Sequence, residues 1–145
     1  MKKIIISAIS IILASSAGKG QPLSGDSSLY EKKWYLKKIH LPVGNDLPAF
    51  KTDELTGKTA FIIFHKVKKS AGGNGGCNTF GGSLLVKGDK ISIRNIIATQ
   101  MYCEGVQQTE NDFFSALRKV NRFEIKNKKL LLYEDKIPLL ELENE

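Results

Sequence analysis

Two cysteines, two histidines and a run of glycines carry most of the chemistry open to this chain. Thiol redox catalysis needs a close Cys-x-x-Cys pair in an electropositive setting. Cys77 and Cys103 lie far apart and have no such spacing. In an exported protein a lone cysteine pair is expected to form a disulfide. The alternative is two free buried thiols packing as small hydrophobes. A bridge would close a loop whose entropy is worth on the order of 3 kcal/mol. Zinc requires three or four convergent ligands. His40, His65, Cys77 and Cys103 show no ligand-pair spacing, so no metal and no cofactor is expected.

Gly72 to Asn78 invites comparison with a phosphate-binding loop, but that loop needs Gly-Lys-Ser/Thr opening a helix. Here the run leads toward a strand and no such lysine follows. Its glycines fit a bend or bulge where backbones approach closely. Cys77 with His65 as nucleophile and base rests on no motif. No Gly-x-Ser-x-Gly elbow occurs either. A catalytic site is therefore not expected. The leading expectation is an exported binding or interaction module. A passive envelope-stability factor and a small thiol-dependent enzyme are the alternatives, and the enzyme would show two reactive free thiols.

The elements that must position these residues read mostly as strands. Lys32 to His40 alternates, with Trp34, Leu36 and Lys38 on one side and Tyr35, Lys37 and Ile39 on the other. Leu41 to Gly57 is rich in turn formers and long for a connection, which points to a loop. Thr59 to Val67 is a second strand, with Phe61, Ile62, Ile63 and Phe64 asking for cover on both faces. Lys68 to Gly76 reads as a glycine-rich connection. Ser83–Lys87 and Lys90–Arg94 flank Gly88-Asp89 as a hairpin. One helix begins near Thr109, which the spacing to Asp112 casts as its cap. Phe113, Leu117 and Val120 follow at helical spacing, with Phe114 alongside, and Arg118 and Lys119 suit the helix C-terminus. A second hairpin joins Arg122–Lys126 to Lys129–Glu134 over Asn127-Lys128. Leu139–Glu143 is a last strand, which Pro138 marks as an edge or as starting there. Trp34, Phe113 and Phe114 are expected in the core, and Met101-Tyr102 is expected to anchor Cys103 to it.

The chain has 145 residues and a formal net charge of +7. Lys2 and Lys3, the apolar run Ile4 to Leu13 and Ser15-Ser16-Ala17 form a secretory signal peptide over residues 1–17, cut before Gly18. That run is far shorter than the roughly 20 apolar residues a spanning helix needs. No cysteine follows it to accept a lipid anchor. The mature protein is expected to be soluble, periplasmic or secreted, and monomeric, with no integral membrane segment. Residues 18–28 form a flexible lead, and residues 29–145 form one domain with one core. The lysines come in scattered pairs among acids and no nucleic-acid motif is present, so they read as a solvated surface. The partner is an envelope protein or ligand that the sequence leaves unidentified.

Several blocks taken in order carry a family resemblance. They are Trp34-x-Leu36, then Gly75-Gly76-Cys77-Asn78-Thr79-Phe80-Gly81-Gly82, then Thr99-Gln100-Met101-Tyr102-Cys103. Glu110 follows, leading into Phe113-Phe114-x-x-Leu117, and Leu130-x-Leu132 precedes the final strand. From about Leu29 to Leu142 the chain resembles the META domain family, the HslJ-like heat-shock proteins. The resemblance implies an α+β, β-rich fold: a small, partly open antiparallel β-barrel with one packed α-helix. It also implies envelope or secreted proteins tied to stress tolerance or virulence, with no established enzymatic activity. The residues it singles out are Trp34, Leu36, Gly75, Gly76, Cys77, Asn78, Gly81, Thr99, Met101, Cys103 and Glu110.

Overall fold

A computed structural model describes residues 27–41, 47–48 and 59–145. Residues 1–26, where a signal peptide and a flexible lead are expected, and nearly all of the expected Leu41–Gly57 loop lie outside the described residues. Nine strands, one α-helix and a short 3-10 turn at Ser27–Leu29 are present among those described. The strands and the helix are β1 (Lys33–Ile39), β2 (Leu47–Pro48), β3 (Phe61–His65), β4 (Ser70–Asn74), β5 (Thr79–Lys87), β6 (Lys90–Ala98), α1 (Gln107–Lys119), β7 (Arg122–Lys126), β8 (Lys129–Glu134) and β9 (Ile137–Glu143). Every pairing is antiparallel. The order runs β1-β3-β4-β5-β6-β7-β8-β9 and returns to β1, so eight strands close into a ring. The two-residue β2 pairs with the end of β1.

The ring buries one face of each strand. Trp34 and Leu36 of β1, Ile62 and Phe64 of β3, Leu130 and Leu132 of β8, and Leu140 and Leu142 of β9 are all buried. The indole N–H of Trp34 donates to Leu29 O at 2.8 Å, which satisfies its one buried polar group. α1 packs on β6 and also on β1 and β9, which lie on the other side of the ring, so the helix lies across it. Phe113 and Leu117 on its inner face are fully buried. Phe80 of β5 meets Phe113 edge-on, with ring centres 5.9 Å apart, and Phe114 at 5.1 Å.

Several expectations need correction. Strict alternation puts Ile39 opposite Trp34, yet Ile39 is buried with it. The β1–β9 register shifts between Leu36 and Lys38, and this bulge returns Ile39 to the inner face. Phe61 and Ile63 are only half-buried, so β3 has one core face rather than two. The glycine-rich connection is largely a strand, β4. A Cβ on Gly72 would lie 2.9 Å from Phe80 O, and one on Gly73 would run into Phe61 O. Absence of side chains is what lets β3 and β5 flank this segment so closely.

The β5–β6 hairpin turns at Gly88-Asp89 as expected, but its strands run longer, from Thr79 to Ala98. α1 starts at Gln107, ahead of Thr109, and no side chain caps it. A turn through Gly105 (φ 77°) precedes it, and the N–H groups of Val106 and Gln107 both reach Cys103 O. The hairpin over Asn127-Lys128 is as expected, with both residues in the left-handed region that a two-residue primed turn requires. Pro138 sits near the start of β9, but β9 is paired on both sides, by β8 and β1, and is no edge.

Candidate functional site

The first turn of α1 places Glu110 against the loop between β4 and β5, where the carboxylate is 1% exposed. Its Oε2 accepts the N–H of Cys77 at 3.0 Å and of Asn78 at 2.6 Å. Its Oε1 accepts Asn78 Nδ2 at 2.6 Å. Asn78 in turn reads the segment that follows β6. Its Oδ1 accepts Thr99 Oγ1 at 2.8 Å and Met101 N–H at 2.7 Å, and Nδ2 also donates to Met101 O at 2.9 Å. The orientation of the Asn78 amide is thereby forced: only its NH2 can face a carboxylate, and only its oxygen can face the Met101 N–H.

The loop itself is tightly held. Gly75 N–H donates to Asn78 O and Gly76 N–H to Asn74 Oδ1, both at 2.8 Å. Gly76 has φ 117°, a conformation that side chains disfavour. A Cβ at Gly75 would lie 2.6 Å from Phe114 Cζ and 2.7 Å from Glu110 Oε2, so only glycine lets the helix sit this close. Cys77 and Cys103 are disulfide-bonded, with their Cα atoms 5.8 Å apart. Neither is a free thiol. The bridge and the carboxylate together clip three segments: the β4–β5 loop, the segment that follows β6, and the start of α1.

The residues singled out from the sequence therefore divide. Gly75, Gly76, Cys77, Asn78, Thr99, Met101, Cys103 and Glu110 meet in this clip. Trp34 and Leu36 lie in the core. Gly81 has room for a side chain, with Ala71 O at 3.9 Å, whereas a Cβ on Gly82 would lie 2.8 Å from Arg94 O. The close approach belongs to Gly82. Within the Gly72–Gly82 stretch Gly75 to Asn78 are buried, whereas Thr79 and Gly81 are exposed. His65 is engaged elsewhere: its Nδ1 lies 2.8 Å from Glu31 Oε2 and must donate, because a carboxylate only accepts. That bond, with the Lys66 N–H and nearby positive charge, holds the Glu31 carboxyl below its usual range. Among the described residues no three His, Cys, Asp or Glu side chains converge as metal ligands.

Against the outer side of the clip lies a groove of about 470 Å3. One wall is the end of β6 and the segment from Thr99 to Tyr102, and the other is α1 with Gln107, Asn111, Phe114 and Arg118. Ile97, Met101 and Tyr102 stand 77%, 51% and 78% exposed there. Met101 and Tyr102 thus do not bury Cys103, as the sequence suggested. The Met101 backbone does the anchoring through Asn78, which leaves its side chain free to face outward. Sequence reasoning missed Ile97 and Arg118 as surface residues. The one signal was the adjacent Ile96-Ile97, which breaks the alternation of Ile91 and Ile93 where the β5–β6 register shifts.

These features define a small antiparallel ring domain with one helix, clipped at the helix start by a buried carboxylate and a disulfide. The chain belongs to the META domain family, whose model matches residues 27–145. A structure of a protein from Burkholderia xenovorans, solved by NMR, is similar over 98% of this chain and 99% of its own, with TM-score 0.70 and 21% identity. A second NMR structure gives TM-score 0.57 at 18% identity, over 79% of this chain and 91% of its own. The crystal structure of a DUF4847 family protein from Bacteroides vulgatus gives TM-score 0.51 at 18% identity, over 79% and 93%. At these identities the likeness is one of fold. The search of curated proteins finds no match. Among the described residues no helix is long and apolar enough to cross a membrane.

Proposed function

We propose that this protein is an exported, non-catalytic binding module whose contact surface is the groove between β6 and α1. The observation that carries the reading is a division of labour. The polar residues of the motif are spent on one another inside the clip, while large apolar side chains are left exposed at its outer wall. Exposed apolar clusters beside a concave surface mark interaction sites. The signal-peptide pattern at residues 1–17 and the Cys77–Cys103 disulfide support a periplasmic or secreted location. We read the ring as a partly open barrel, with its seam where β6 and β7 share one residue pair. A role in envelope stress tolerance is proposed on the family resemblance alone.

The test is site-specific photocrosslinking in intact cells that express the full chain. A photoreactive residue at position 102 is expected to give adducts with envelope or extracellular molecules. The same residue at position 85, where Leu85 is also exposed, is expected to give none. Equal labelling at both positions rejects the groove. Native protein that begins at Met1, rather than near Gly18, rejects export.

A further inference from the structure

β6 is paired with β5 over most of its length, but among the described residues its other edge is nearly free of strand pairing. There it shares only the pair Lys90↔Arg122 with β7, and Ile91 N–H reaches Asn121 O. No described strand pairs with the rest of β6 on that side. The N–H of Thr99 donates to Thr79 O, toward β5. Backbone groups of successive strand residues face opposite edges. Ala98 therefore turns its N–H and C=O away from β5, toward the groove that it lines.

We propose that this edge takes an extended, acidic peptide segment as an added strand; the proposal rests on the groove being the contact surface. A bare strand edge is satisfied by another extended backbone, which supplies donors and acceptors at the strand repeat. Side chains of such a segment alternate, so one set can pack on Ile97, Met101 and Tyr102. The charge preference comes from the groove lining, whose charged side chains are Glu110 and Arg118. Both Glu110 oxygens are occupied by internal donors. Arg118 is exposed, with no acidic partner among the described residues. The unspent charge is positive, and it selects Asp or Glu on the ligand.

The test pans a library of random linear peptides against the disulfide-intact full chain. Enriched peptides are expected to alternate apolar residues and to carry an Asp or Glu. Arg118→Glu should weaken them by about tenfold. N-methylation of alternate backbone amides should abolish binding, and bound peptide should slow hydrogen exchange at the Ala98 N–H. The proposal is overturned by failure to enrich, by indifference to Arg118→Glu or N-methylation, or by unchanged Ala98 exchange. Self-association through this edge, blocked by Ile97→Asp, also overturns it by making a second copy the occupant. Groove resonances that respond to detergent or fatty acid but not to peptides would overturn the peptide while leaving the groove as a contact surface. Absence of adducts at position 102 would instead remove the groove reading itself.

Discussion

Glu110 is a buried carboxylate with no cation paired to it among the described residues, held by three hydrogen-bond donors. Such a group is stable only while every donor is present, since an uncompensated charge in the interior is costly. Its interlock with Asn78 makes the site unforgiving. In Glu110→Gln the new NH2 would face Asn78 Nδ2, donor against donor. Turning the Asn78 amide would relieve that clash, but would then set its NH2 against the Met101 N–H. One lost partner thus leaves another unsatisfied whichever way the amide turns. Glu110→Gln is expected to cost about 2–4 kcal/mol in urea unfolding. Glu104→Gln, on the exposed turn before α1, is expected to stay within about 0.5 kcal/mol. Equal stability of the two variants would show that Glu110 is not held as described.

At the scale of elements, the disulfide and the carboxylate fix the start of a helix that lacks a side-chain cap. Cys103 O receives the first N–H groups, and its side chain is tied to Cys77. Replacing both cysteines by alanine removes a cross-link between residues 26 apart and is expected to cost about 3 kcal/mol. Amide exchange should quicken around Met101 to Gln107 and change little in the β7–β8 hairpin. An unchanged unfolding midpoint would refute this role. The same elements show what the sequence made legible. The hairpins at Gly88-Asp89 and Asn127-Lys128 were readable because turn geometry is written in the turn residues themselves. The cysteine pair was readable because two cysteines in a chain expected to be exported usually pair. β4 was not, because its glycines answer to Phe61 and Phe80, residues on other strands. Thr109 resembled a cap because a cap is a local signal, whereas this helix starts on a tertiary bridge. The clip residues were visible as a set only through family resemblance. Their arrangement depends on Glu110 reaching back 32 residues to Asn78, which no local pattern records.

At the scale of the whole molecule, most neighbours in the ring are neighbours in sequence, but its closure pairs the first strand with the last. β9 lies between β8 and β1, and it carries Leu140 and Leu142, both fully buried. Removing residues 137–145 therefore does two things at once. It empties part of the core, at a cost of about 2–5 kcal/mol for each large aliphatic side chain lost, and it leaves β1 and β8 with bare edges. A small domain has a total stability of only about 5–15 kcal/mol, so this truncation is expected to abolish the cooperative unfolding transition and to drive association through the exposed edges. Leu85→Ala, which trims an exposed side chain on β5, is expected to leave the transition in place. Calorimetry and sedimentation of the two variants make the comparison. A truncated chain that still melted cooperatively as a monomer would mean that the ring is held by its local hairpins and α1, with the first-to-last pairing an accessory. Because α1 packs on β6 and also on β1 and β9, closure between β1 and β9 also braces one wall of the groove between β6 and α1.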